Sequence, residues 1–438
     1  MKAFALATVM LALLALPGQH AAATNSDLRV AYIPLSPRNV VCVLDPETLA
    51  SACPFTAEEE AYVGAIRWSP DGTMIAIQQP RDGNGRIVVF SADGSSHLPN
   101  GRPSPSLITG TANVGGAPTW ASDSQRIAGI REGNIFIASL AGGDPDVIEL
   151  GEGRVLTATW SPDGANFAFS RVDADGGGIE VAVVDAKTEA RRTLHHFADS
   201  AAASAILYNI SWSPDGQHVV FAYVPGFPEP VSSVQYWVTD VAGDNAKLFY
   251  ECRIRGAIST EVGFSGDGEF IAFDGYSGKT MNVFVARPDG SDIHQLTHSN
   301  RGAFGARPAG DGMVLYNDLD GPPALMSLIK FDIDDPENST GEPLVPAVEF
   351  EWAPVPGTMP PNAVELTPLP TATSTATPRP TGTPVPRPSP TPASLRGPNV
   401  GDGKLDSSSS RQAYALLSVV GIVALIGGWA FRRIALRR

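Results

Sequence analysis

Short runs in which every second residue is apolar fill the chain from residue 28 to residue 357. Ile75 and Ile77 fall on one side of such a run, and Val219 and Phe221 on one side of another. That is the two-residue period of a β-strand with one buried face. A tight polar cluster precedes each run, and a short strand ending on an aromatic ring precedes each cluster. The clearest copies read "IRWSPDGTMIAI" from Ile66, "ATWSPDGANFAFS" from Ala158 and "SWSPDGQHVVFAY" from Ser211. In the cluster, proline fixes φ, aspartate can bond back to the turn backbone and glycine takes a positive φ. The sequence therefore predicts a hairpin corner there.

The unit repeats. "PTWASDSQRIAGI" from Pro118 and "VGFSGDGEFIAFD" from Val262 are weaker copies, and "RPAGDGMVLYND" from Arg307 has lost its aromatic. "FEWAPVPG" from Phe350 is a first strand without successors. The anchor positions Trp68, Trp120, Trp160, Trp212, Phe264, Pro308 and Trp352 are 52, 40, 52, 52, 44 and 44 residues apart. A third strand follows, as in "RIVVFSADG" from Arg86, then a weaker fourth, as in "DIHQLTHS" from Asp292. Four antiparallel strands at this period predict the blades of an all-β propeller. Ahead of the first full motif, "LRVAYIP" (Leu28 to Pro34) and "NVVCVLDPET" (Asn39 to Thr48) read as a second and third strand without a first. Joined to the Phe350 strand, they predict one blade shared by both ends, which closes the ring and removes strand edges. The count is then seven blades, or six if the Phe350 strand is only an extension.

This pattern resembles the TolB-type β-propeller repeat, a W-S-P-D-G corner followed by an I-A-F-like strand. Trp68 to Gly72, Trp160 to Gly164 and Trp212 to Gly216 fit in full. Trp120 and Asp123 are kept, but Ser124 replaces the glycine; Phe264 to Gly268 keeps Asp-Gly and has Gly266 in place of proline. The resemblance covers residues 28–357. The α/β domain that precedes the propeller in TolB finds no counterpart in the sequence.

Asp71, Asp123, Asp163, Asp215, Asp267 and Asp311 recur once per unit, so they are read as corner builders. A catalytic or metal role would not be repeated on separate turns. The anchor tryptophans are read as rings buried between blades, each hiding on the order of 200 Å².

The two ends read differently. Met1-Lys2, the apolar run Ala3 to Leu16 and Ala21-Ala22-Ala23 predict a signal peptide over 1–23. From Thr367 to Pro392, nine of 26 residues are proline and eight are threonine. This composition buries no core and favours extended polyproline II, so 358–412 is expected to be a stalk. Residues 413–431 are 19 uncharged residues followed by Arg432, Arg433, Arg437 and Arg438. They predict one membrane helix with a basic cytoplasmic tail, 432–438, and the propeller, 24–357, outside.

Charge narrows the partners. The chain has 31 basic and 46 acidic residues, and six of the basic ones lie in the end segments. Residues 24–410 therefore carry 25 basic against 46 acidic residues, or -21. Such a domain repels phosphate backbones, so no nucleic-acid partner is expected. Cys42 and Cys53 can close a small loop in an oxidising compartment, and Cys252 has no obvious mate.

Candidate chemistry is sparse. No nucleophile motif is present, and the seven histidines read as solvated strand ends. Two acidic glycine loops, Asp173 with Asp175 and Asp318 with Asp320, lie between second and third strands. Carboxylates one residue apart can hold Ca²⁺, although the spacing departs from the EF-hand pattern; no other cofactor is expected. The loops at that end, opposite the corners, are the better binding candidates. "YVPGFPEPVSS" offers Tyr223, Phe227 and Glu229, and "HHFADSAAASAILYN", from His195, is the longest connection between units. The sequence therefore predicts a membrane-anchored, non-catalytic module binding a protein, peptide or glycan on one face of the ring. The competing expectation is a propeller hydrolase or lyase acting on polysaccharide.

Overall fold

The computed structural model describes residues 28–57, 63–81, 84–108, 115–198, 207, 209–225, 233–243, 245–253, 259–320, 325–354 and 364–366. The segments read as signal peptide (1–23), membrane helix (413–431) and basic tail (432–438), and nearly all of the one read as stalk, lie outside the described residues. Among the described residues, no helix is long and apolar enough to cross a membrane.

Each sequence repeat folds as one antiparallel sheet. The N-terminal strands are β1 (Val30–Pro34), β2 (Val40–Leu44) and β3 (Ala50–Thr56). Blade 1 follows as β4 (Gly64–Trp68), β5 (Met74–Arg81), β6 (Asn84–Ser91) and β7 (Ser106–Leu107). Blade 2 is β8 (Gly115–Trp120), β9 (Arg126–Arg131), β10 (Asn134–Ser139) and β11 (Asp146–Ile148). Blade 3 is β12 (Arg154–Trp160), β13 (Asn166–Val172), β14 (Gly178–Asp185) and β15 (Arg191–Ala198). Blade 4 is β16 (Ile210–Trp212), β17 (His218–Tyr223), β18 (Ser233–Asp240) and β19 (Lys247–Arg253). Blade 5 is β20 (Val262–Phe264), β21 (Ile271–Ser277), β22 (Thr280–Ala286) and β23 (His294–Gln295). Blade 6 is β24 (Ala303–Pro308), β25 (Met313–Asp318), β26 (Leu325–Asp332) and β27 (Asp335–Val345). The chain ends its described course with β28 (Ala347–Trp352) and β29 (Val364–Glu365).

Blade 7 has the order β28-β1-β2-β3-β29. The strand at Phe350 is thus a true first strand, and the protein is a seven-bladed β-propeller. Val30 faces Trp352 and Tyr32 faces Phe350 across the closure. Two strands are additions to the sequence reading. β3 supplies the missing fourth strand, and β29, inside the segment read as stalk, adds a fifth.

The corners have the predicted chemistry. Gly72, Gly164, Gly216 and Gly268 donate their N–H to Ser69, Ser161, Ser213 and Ser265 at 2.8–2.9 Å, each closing a four-residue turn. Gly164 sits at φ 71°, and Ser124 takes the same left-handed conformation at φ 55° where blade 2 lacks glycine. The aspartates accept inside the turn: Asp71 from Thr73 N at 3.0 Å, Asp163 from Ala165 N at 3.0 Å and Asp215 from Gln217 N at 2.9 Å.

Among the described residues, the buried side chains form seven clusters, each spanning two neighbouring blades. Trp68, Trp120, Trp160, Trp212, Phe264 and Trp352 each fall in one of them, all less than a tenth exposed. A blade by itself has two greasy faces and no core, so the core exists only between blades.

Candidate functional site

The first strands of the blades stand next to one another around the axis. The residues just before the anchors are Arg67, Thr119, Thr159, Ser211, Gly263, Arg307 and Glu351. They divide the inner wall in two. From blade 5 to blade 1 a chain of ion pairs runs along it. Arg307 pairs with Glu261, just ahead of β20, and through Nε with Glu351 at 3.5 Å; Arg67 reaches the same Glu351 oxygen at 3.4 Å. In blades 2–4 the residues before the anchors, Thr119, Thr159 and Ser211, are neutral. There Thr119 Oγ1 accepts from Trp160 N at 3.2 Å, and Asn209 Nδ2 donates to the Thr260 carbonyl at 2.9 Å.

Burial alone would lower the proton affinity of Arg307, but Glu261 and Glu351 outweigh it and hold the guanidinium charged. Burial pushes the neighbouring Glu349 carboxyl up, against the pull of Arg307 and Arg67. Three glutamates thus share two arginines on one side of the axis. Carboxylates fixed to guanidinium groups make a rigid, polar lining.

One further carboxylate escaped the sequence reading. Asp274, on β21, is 1% exposed. Its oxygens accept from Gly305 N at 2.8 Å and Ala306 N at 3.1 Å on β24, and from the Ser259 hydroxyl. The Tyr236 hydroxyl of blade 4 donates to its carbonyl. Asp274 therefore ties blades 4, 5 and 6 together, where the next anchor, Pro308, has no indole to offer. Burial raises its pKa to about 6 in spite of these donors. The only sequence signal was a charge at a position where blades 1, 3 and 4 carry Gln78, Ser170 and Ala222.

The candidates from the sequence are not brought together. Asp173 pairs with His196 at 2.8 Å, while Asp175 Oδ1 accepts from Gly177 N at 2.8 Å. Asp320 accepts from Asn300 N and Arg301 N at 3.0 and 2.8 Å, and Asp318 from Asp320 N at 2.9 Å. These carboxylates hold loops in shape. Among the described residues, no group of three His, Cys, Asp or Glu side chains is placed to hold a metal ion. Tyr223 is a correction. It is 3% exposed and stacks on Phe197 with ring centroids 3.8 Å apart, so it belongs to the core between blades 3 and 4. His195, His196 and Phe197 belong to strand β15 rather than to a connection, because the alternating pairing with β14 continues to Ala198. Phe227 and Glu229 lie outside the described residues. Cys42 and Cys53 are joined in a disulfide between β2 and β3.

No family model matches the sequence, and no curated protein matches it. Solved structures do resemble it. TolB from Acinetobacter baumannii is 17% identical over 61% of this chain and 63% of its own, with a TM-score of 0.44. A prolyl endopeptidase is 14% identical over 74% of this chain and 51% of its own, with a TM-score of 0.51. An oligogalacturonate lyase in complex with manganese is 13% identical over 73% and 85%, with a TM-score of 0.47. The chain spans less than two thirds of the TolB structure and about half of the endopeptidase. At these identities the likeness is one of fold. A shared fold does not by itself fix a role.

Proposed function

We propose that this protein is a non-catalytic binding or scaffold module, held outside the cell by a stalk and a single membrane helix. A protein, peptide or glycan docks on the face that carries the connections between second and third strands and between blades. The observation that supports this is the contrast between the two faces. On the corner face, successive turns are fastened to each other. Asp71 N donates to Ser124 Oγ at 3.1 Å, Asp311 N to Asp267 Oδ2 at 2.7 Å, and Arg29 Nη2 to the Gly72 carbonyl at 3.3 Å. The opposite face carries connections of unequal length on a rigid ring, the usual arrangement of a binding surface. The inner wall adds to this reading, since Arg307 and Arg67 hold two of its carboxylates, Glu261 and Glu351, in ion pairs.

The test is capture with a soluble chain spanning 24–366, which keeps β29. A saturable partner whose binding is lost on shuffling residues 226–232, but kept on substitution of Gln217 at a corner, supports the proposal. Turnover of an oligosaccharide by the same chain, abolished by Glu349→Gln, would replace it with the hydrolase or lyase reading.

A further inference from the structure

Blade 7 is held at both edges by the C-terminal side of the chain. β28 lies innermost and β29 outermost, with three N-terminal strands between them. β29 is short but docked. Val364 faces Ser51 and Glu365 faces Ala50, and Leu366 N donates to the Leu49 carbonyl at 2.9 Å. Leu366 and Leu49 each pack against the apolar cluster shared by blades 6 and 7. The strand that receives β29 is itself tied to β2 by the Cys42–Cys53 bridge.

Pairing fixes the direction of the chain at this point. β1 begins at the corner face, where Arg29 meets the Gly72 carbonyl of the blade 1 corner. β2 is antiparallel to β1 and returns to that face, and β3 leaves it again. β29 is antiparallel to β3 and so comes back to it, beside the turn that joins β2 to β3.

We infer that the polypeptide leaves the propeller at the corner-face end of blade 7, which makes the opposite face the one presented to a partner. This rests on the proposed reading of the following residues as spacer and anchor. The folded unit then ends at Leu366, and the stalk starts at Thr367. A pull on the stalk enters at β29 and reaches β3 through their pairing, and the Cys42–Cys53 bridge ties β3 to β2 covalently. The corner face has little to lose by carrying the tether, since its turns already bind one another. The face with the unequal connections stays clear.

The inference is tested by distances between paired nitroxide labels in the full chain carrying Cys252→Ser. One label sits at Ala372→Cys, six residues past Leu366. The other sits at Thr48→Cys or at Ser36→Cys, both exposed and at opposite ends of β2. A strand rises about 3.3 Å per residue, so the two reference sites are roughly 15–20 Å apart. The expected mean distance from 372 to 48 is shorter than from 372 to 36 by about 10 Å or more. Adding Leu366→Pro, which removes the N–H donated to Leu49, is expected to erase that difference. Equal distances in the unmodified strand, or a shorter distance to 36, would overturn the inference. Neither measurement needs a partner or a bilayer, so its failure and the failure of partner capture are separate results.

Discussion

The indole N–H of Trp120 donates to the backbone carbonyl of Arg67 at 3.1 Å, joining blade 2 to blade 1. The same bond recurs around the ring. Trp68 donates to Glu351, Trp212 to Thr159 and Trp352 to Arg307, at 3.0–3.2 Å. In each case the acceptor is the residue before the anchor of the preceding blade. The tryptophan thus does two jobs at one interface: its ring fills the cluster, and its edge fastens two first strands. Trp160 keeps only the first. Its indole N–H has no partner among the described residues, while its ring lies 3.8 Å from that of Phe167 and beneath Arg126.

These two jobs separate by substitution. Trp120→Phe keeps a ring and loses the bond, and leaves the Arg67 carbonyl short of a donor. A loss of about 1–2 kcal/mol in urea unfolding is expected. Trp120→Ala also opens a cavity and should lose about 3–5 kcal/mol. Trp160→Phe, with no bond to lose, should cost clearly less than Trp120→Phe. Equal costs would show that the indole bond contributes nothing.

Asp274 gives the protein a particular pH dependence. Its folded pKa, about 6, lies above the ordinary 3.8, so the native state holds the proton more tightly than the unfolded chain does. The contribution of this group is therefore most favourable below pH 4. It weakens as pH rises from about 4 to about 6 and is flat above that. Two pKa units correspond to roughly 3 kcal/mol at most. Unfolding of the wild type and of Asp274→Asn, followed from pH 4 to 7, should show the wild type losing stability relative to the variant. A wild type that gains stability relative to the variant over that range would contradict the assignment.

Arg307 is the shared cation of the inner wall. Arg307→Met leaves Glu261 and Glu351 without it while keeping most of the side-chain volume. At neutral pH this should cost about 3 kcal/mol, as for a broken, largely buried ion pair. Adding Glu261→Gln and Glu351→Gln should recover much of the loss, because no charge is then left without its partner. Urea unfolding of the single and triple variants reads both effects, and a loss that does not shrink in the triple variant would point to packing instead.

The Cys42–Cys53 bridge closes a loop with a sequence separation of 11. Loop-closure entropy puts its contribution at about 2–3 kcal/mol. Replacing both cysteines by serine should lower the urea midpoint accordingly. The effect should be local, with hydrogen exchange speeding up first in β2 and β3. Uniform acceleration across all blades would mean that blade 7 opens only with the whole ring.

Much of this fold is legible in the sequence because a blade is a local object. Trp-Ser-Pro-Asp-Gly sets a turn with its own atoms, as the Ser213–Gly216 and Asp215–Gln217 bonds show. The alternation of Val219 and Phe221 then sets which face of the strand is apolar. Both need only a few neighbouring residues, and their repetition narrows the blade count to seven or six. The shared blade is legible for the same reason, as strands missing at one end reappear at the other. The fourth strand β3 was not, because its residues lack a clean alternation: Cys53 is exposed and Pro54 half-buried.

What the sequence by itself determined is the unit and its corner chemistry, with the count left at seven or six until the pairing of β28 with β1 decided it. What only the tertiary structure decided is which residues from different units meet. Glu261, Arg307, Glu351 and Arg67 span 285 positions of the chain, yet they form one chain of contacts. Asp274 finds Gly305 on another blade, Leu366 finds Leu49, and Tyr223 turns inward beneath Phe197. The physical reason is closure. A turn or a strand is chosen by forces acting over a few residues, whereas these contacts exist only once seven sheets, none able to bury its own faces, have packed side by side into a ring.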